Sequence, residues 1–261
     1  MTAAPIRARV SHYLAWVFVC SLPFYLWGVV SPVGGLPFGL PATAIMVIVP
    51  AAVATALTGK DEAASGVADL WRRVGDAGRV TPWRWWLLAV AIMPIATIIA
   101  YLAMRALDRP LPRWEPVSGD QVLLAFGVFA AGAVFEEVGW TGYATPALQR
   151  RYGVFKAGCM LGAAWALWHV VPWWLHQGHT ADWVIAQGLA SVAMRVIMVW
   201  IYARGGRSLL LAILFHATIN TTYSLFPNGG SSYDPSVMAW VLWLGIGAVG
   251  LASISETRRR A

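Results

Sequence analysis

The sequence predicts an all-α, polytopic membrane protein with about eight transmembrane helices and one amphipathic helix on the cytoplasmic membrane surface. Three observations predict it. The 261 residues are 59% hydrophobic and only 12% charged, with a mean hydropathy of +0.62, whereas soluble chains carry about 25% charged residues. Apolar runs long enough to cross roughly 30 Å of hydrocarbon recur along the whole chain. Basic residues gather in alternate connections, the pattern that the positive-inside rule imposes on a multi-pass chain.

The runs lie near 12–30, 40–58, 84–106, 121–137, 155–176, 183–203, 208–225 and 237–254. Arg7 and Arg9 precede the first, which has neither a small-residue cleavage site nor a lipidation cysteine and is expected to stay attached. Between the second and third, Val67, Leu70, Trp71 and Val74 recur at helical spacing opposite Asp69, Arg72, Arg73 and Asp76, which describes a helix lying on the membrane surface. Lys60, Arg79 and Arg84 share that connection; Arg150, Arg151 and Lys156 follow the fourth run; Arg204 and Arg207 follow the sixth; Arg258 to Arg260 come last. The opposite connections carry only Arg105, Arg109 and Arg113, offset by Asp108, Glu115 and Asp120. Both termini are therefore expected in the cytoplasm, with a single membrane domain over 1–261.

Several features are expected to be structural. Gly158 and Gly162 form a small-x-x-x-small pair suited to close helix packing. Trp83, Trp85, Trp86, Trp173, Trp174, Trp183, Trp240 and Trp243 fall near span ends, as interfacial aromatics do. His176 and His179 are expected on the surface of an outer loop, and Cys20 and Cys159 sit in apolar runs as small hydrophobes. The net charge of +7 records topology; no basic patch interleaved with stacking aromatics suggests nucleic acid.

The polar residues inside spans carry the chemistry. Glu136 and Glu137 end the fourth, His169 lies in the fifth, Arg195 in the sixth, and His216 with Asn220 in the seventh. An acidic side chain deep in a membrane helix costs roughly 2.5–3.5 kcal/mol, so two in succession need a reason. Adjacent glutamates diverge by about 100° around a helix, so one can enter a site while its neighbour orients or pairs. The spacing of His216 and Asn220 puts both on one helix face. A carboxylate, two imidazoles and an amide suit hydrolysis, with glutamate taking a proton from water and histidine or asparagine meeting an oxyanion. Glu136, His169 and His216 also have the residue types of a catalytic zinc site, although the H-E-x-x-H signature is absent.

Glu136-Glu137-Val138-Gly139-Trp140-Thr141-Gly142-Tyr143, Trp165-Ala166-Leu167-Trp168-His169 and His216-Ala217-Thr218-Ile219-Asn220 resemble, in order, the three motifs of the CAAX prenyl protease and bacteriocin-immunity (CPBP, or Abi) family of intramembrane proteases. The resemblance covers about 122–223. It implies an eight-helix protease of a bacterial plasma membrane whose site faces the cytoplasm. In it Glu136 activates water with help from His169, His216 and Asn220 hold the oxyanion, and Glu137 supports the site. Zinc and metal-free mechanisms are both open. Two positions depart from the family pattern: Thr141 stands where an arginine is common, and Trp165 where phenylalanine is. Arg195 is expected to supply the missing charge to the carboxylates, since an unpaired intramembrane arginine is itself costly.

Three functions compete at this point. The leading one is an endopeptidase acting near the cytoplasmic leaflet on a hydrophobic or lipidated peptide. The others are a non-catalytic immunity or scaffolding protein that binds peptides, and a proton-coupled transporter using Glu136, Glu137 and His169 as a relay.

Overall fold

The computed structural model describes residues 6–30 and 42–260, with side chains over 9–30 and 43–250. The start of the second expected span at residue 40, and the side chains of Arg7 and Arg258 to Arg260, lie outside these. The described residues form eight α-helices: α1 (Ile6–Val30), α2 (Ile48–Arg72), α3 (Arg84–Ala106), α4 (Gly119–Glu137), α5 (Thr145–Val171), α6 (Ala181–Arg204), α7 (Leu209–Ser224) and α8 (Pro235–Arg260). Each expected run falls on one of them. Five helical stretches are long and apolar enough to cross a membrane, namely Arg9–Val30, Thr43–Gly75, Arg84–Ala106, Gly119–His176 and Ala181–Arg204, and α7 and the apolar part of α8 are shorter. Leu26, Leu102, Leu123, Ile185 and Leu244 are exposed, as lipid-facing side chains of such a bundle must be.

The stretch Gly119–His176 is 58 residues long and, as one straight helix, would reach roughly 87 Å. It turns back on itself. After α4 the chain widens into a π-helical turn, Val138–Ala144, and α5 is broken at Gly153, whose φ of 76° and ψ of 175° are not helical. Glycine adopts that left-handed φ without a Cβ clash. Beyond it α5 runs against α6, where the small pair does what its spacing predicts: a Cβ on Gly158 would lie 2.7 Å from Val196 Cα, and one on Gly162 would lie 2.7 Å from Val192 Cα.

The amphipathic segment is the second half of α2, set off by a break at Ala63 (φ 58°, ψ −163°). Its apolar face is turned onto the bundle: Leu70 is buried, with Trp71 and Val74 packed against the same core. Asp69 and Arg72 stay exposed and pair at 2.8 Å. This segment braces two elements. Arg73 donates from Nη1 to Gly142 O at 2.8 Å, inside the π-helical turn, and from Nη2 to the Tyr202 hydroxyl at 2.9 Å. Asp76 accepts from Leu209 N at 3.0 Å, Leu210 N at 3.2 Å and Ser208 Oγ at 2.6 Å, while Ser208 Oγ accepts from Leu211 N. The first amides of α7, unsatisfied within the helix, thus find a carboxylate.

Two cores fill the bundle. One joins α3, α6, α7 and α8; the other joins α1, α2, α4, the π-helical turn and α5. The polar residues of α4, α5, α6 and α7 meet where the two cores adjoin.

Candidate active site

The two adjacent glutamates take different surroundings. Glu137 is fully buried and is held by three neighbours on three other segments of chain. Arg195 Nη1 donates to both of its oxygens at 2.9 and 2.7 Å, His216 Nδ1 lies 2.8 Å from Oε1, and the Thr141 hydroxyl donates to Oε2. Because an ionised carboxylate only accepts, His216 Nδ1 carries the proton and Nε2 is left for the cavity. Arg195 is itself fully buried, and its guanidinium carbon stands 4.6 Å from the Trp165 ring centroid, a cation–π contact between buried groups. Thr141 is small enough to leave room for Arg195, which comes from α6 rather than from the motif.

Glu136 is 4% exposed and lines a cavity with room of about 150 Å³, enough for about five waters. Trp165 Nε1 donates to Glu136 Oε2 at 2.8 Å; the Trp165 substitution therefore adds a hydrogen bond that phenylalanine has no atom to make. His169 Nδ1 lies 2.8 Å from Trp165 O. A carbonyl cannot donate, so this nitrogen carries the hydrogen and Nε2 is free to exchange protons. His216 and Asn220 line the same cavity, one helical turn apart on α7. The structure thus brings Glu136, His169, His216 and Asn220 to one space and places Glu137, Thr141 and Arg195 directly behind it.

As placed in this structure, Glu136, His169 and His216 are not gathered around one metal position. Among the described residues no three His, Cys, Asp or Glu side chains are grouped so that they could hold a metal ion. Trp165 packs among them: its ring centroid is 5.0 Å from that of His169 and 5.4 Å from that of His216, edge-on to both, while its indole nitrogen donates to Glu136 Oε2.

Other expectations change as well. Trp173 and Trp183 line the cavity, and Trp173 stacks on His169 at 5.2 Å with 19° between the planes. The spacing Trp165, His169, Trp173 is the signal that marks Trp173, since residues four apart share a helix face. His176 is buried, with its Nε2 3.0 Å from Tyr25 O, so it ties α5 to α1 instead of lying on the surface; His179 stacks on Trp183. Ser191, Gln187 and Tyr233 also line the cavity, and nothing in their local sequence distinguishes them from ordinary polar residues of a span.

The cavity reaches the connections α5–α6, through Trp173, Gln177 and Trp183, and α7–α8, through Tyr223 and Tyr233. No described residue of the basic connections lines it.

Fold and site together define a polytopic helical membrane protein with a buried glutamate–histidine cavity. Residues 118–222 match the family described as "Rce1-like: Type II CAAX prenyl endopeptidase Rce1-like". The chain is 35% identical to CAAX prenyl protease 2 of Methanococcus maripaludis over 116 residues, 41% of this chain and 42% of that relative. The aligned region thus spans less than half of either protein.

Proposed function

We propose that this protein is an intramembrane endopeptidase that hydrolyses a peptide bond with a water activated by Glu136. The observation that supports this reading is the separation of roles between adjacent carboxylates: Glu137 is neutralised by Arg195 and buried behind the site, while Glu136 faces the cavity with one oxygen not taken by Trp165. Glu136 takes a proton from water, and the resulting hydroxide attacks the scissile carbonyl. Asn220 and His216, which Glu137 orients through Nδ1, hold the oxyanion. The proton taken by Glu136 passes to His169 Nε2 and from there to the departing amine as the C–N bond breaks, which leaves Glu136 ionised and His169 neutral again, and Trp173 stacked on His169 fixes the ring.

Its substrates are hydrophobic or lipid-attached peptides, reached through a mouth that lies within the bundle. By the positive-inside rule the basic connections and both termini lie in the cytoplasm of a cell membrane, which turns the α5–α6 and α7–α8 connections at the cavity's edge to the outer side. A peptide-binding immunity or scaffolding protein would need the cavity but not the water-facing carboxylate. A proton carrier would need a path through Glu137, which Arg195 blocks.

The decisive comparison is wild type against Glu136→Gln in one detergent, with cleavage of an unbiased peptide library followed by mass spectrometry. Gln keeps the acceptor for Trp165 but cannot take the proton, so cleavage should fall by about 10²–10⁴-fold while peptide binding persists. Equal cleavage by both proteins removes Glu136 from the mechanism, and none by wild type leaves peptide binding as the function.

A further inference from the structure

Three polar atoms in the cavity wall have no partner within the folded chain: Ser191 Oγ, Gln187 Oε1 and the Tyr233 hydroxyl. Ser191 is fully buried and Tyr233 is 7% exposed. A buried polar atom left unpaired is destabilising, so each is placed to meet something that enters the cavity. None has a part in water activation or in holding the oxyanion.

Their arrangement indicates what enters. Gln187 and Ser191 are four residues apart on α6, about 6 Å along the helix axis on one face, and Arg195 continues that face to Glu137. An extended peptide presents equivalent main-chain groups to one side every second residue, about 6.6–6.8 Å apart. The two spacings match, and both atoms accept hydrogen bonds from an amide. We propose that Gln187 and Ser191 form a rail that binds the main-chain N–H groups of two alternate residues of an extended substrate beside the scissile bond. Tyr233, from the α7–α8 connection, meets the same strand from across the cavity. A rail of this kind reads main chain, as strand-adding peptide sites do, and leaves side-chain preference to the apolar wall of Trp173, Trp183 and Met194. The inference rests on the peptidase reading for the identity of the ligand, and it adds the conformation in which that ligand is held.

The test is binding to Glu136→Gln protein, so that no turnover intervenes. The probes are fluorescent hydrophobic decapeptides, each in parent form and in a series with one amide N-methylated at a time. Methylation at two amides two residues apart should weaken binding by about 3- to 10-fold, the effect of one hydrogen bond, while methylation of the amide between them should not. Adding Ser191→Ala should abolish sensitivity at one of these positions and Gln187→Leu at the other, with Tyr233→Phe weakening both moderately. Uniform sensitivity along the peptide overturns the rail. So does a pair of substitutions that lower thermal stability yet leave the methylation pattern intact, since that is what a structural role produces. Alternation without any cleavage by wild type keeps the rail and rejects the peptidase; cleavage without alternation does the reverse. Absence of binding to every peptide overturns both.

Discussion

At Glu137 a carboxylate with no exposure is satisfied by an arginine, an imidazole and a hydroxyl, and its strength is that of a buried pair. Removing one partner of such a pair leaves an uncompensated charge and costs about 3–5 kcal/mol, so Arg195→Met should lower the thermal midpoint sharply in a detergent melt. Arginine at 141 is common in the family that the motifs resemble, and the structure shows why it cannot simply be introduced: Thr141 is fully buried with Arg195 already on Glu137. Thr141→Arg alone should destabilise, and Thr141→Arg with Arg195→Met should be more stable than either single variant, because one cation again faces one carboxylate. A double variant no better than the singles would mean that the two positions do not exchange the charge. At Asn220 the expectation is kinetic. Asn220→Ala should reduce kcat by about 10²–10³-fold, the usual effect of one oxyanion donor, with KM little changed in steady-state assays. Residues of this kind were legible in the sequence because ionisable groups are so costly inside a membrane span. Trp173, Ser191 and Tyr233 were not, since aromatic and small polar residues are common in spans for reasons of anchoring and packing.

Among the elements, α7 is the one whose position decides the proposed chemistry, for it carries His216 and Asn220 and its start is capped from the α2–α3 connection. Asp76→Ala removes acceptors for Leu209 N, Leu210 N and Ser208 Oγ, and loss of a cap costs about 0.5–2 kcal/mol. Peptide cleavage should fall in the same variant, and Asp76→Asn should recover most of it by keeping an acceptor. Stability and activity that are both unchanged on Asp76→Ala would separate the cap from the site. Between α5 and α6 the contact is set by glycine. A Cβ on Gly162 has Val192 Cα at 2.7 Å and Arg195 Cβ at 3.1 Å, so Gly162→Ala should cost about 1–3 kcal/mol through overpacking and should disturb Arg195 as the helices part. Unfolding scans would show this, and an unaltered midpoint would mean that the helices shift without strain. The small pair was visible in the sequence by its spacing. The break at Gly153 was not, because one glycine between two helical patterns is ambiguous until the neighbouring spans demand a reversal.

Over the whole molecule, the basic connections and the α5–α6 and α7–α8 connections that line the cavity lie at opposite ends of the spans. With the basic face in the cytoplasm, a membrane-impermeant thiol reagent applied to intact cells should label a cysteine at Gln177, which lines the mouth and is exposed, and should not label one at Arg150. The background needs Cys20 and Cys159 replaced, since both are free thiols. The opposite labelling pattern would put the mouth in the cytoplasm and the termini outside. Either result fixes which compartment supplies the peptide.

Eight apolar runs, alternate basic connections and five ionisable residues in four spans were enough to place helices and to name the polar groups that the structure brings together, because a bilayer penalises every unsatisfied polar or charged atom. Which glutamate faces water, which cation answers the other, and on which face the cavity opens depended on packing. Those answers come from contacts between segments far apart in the chain, Glu137 with Arg195 and His216 and Trp165 with Glu136, and helical periodicity within one span carries no information about the angle at which another meets it.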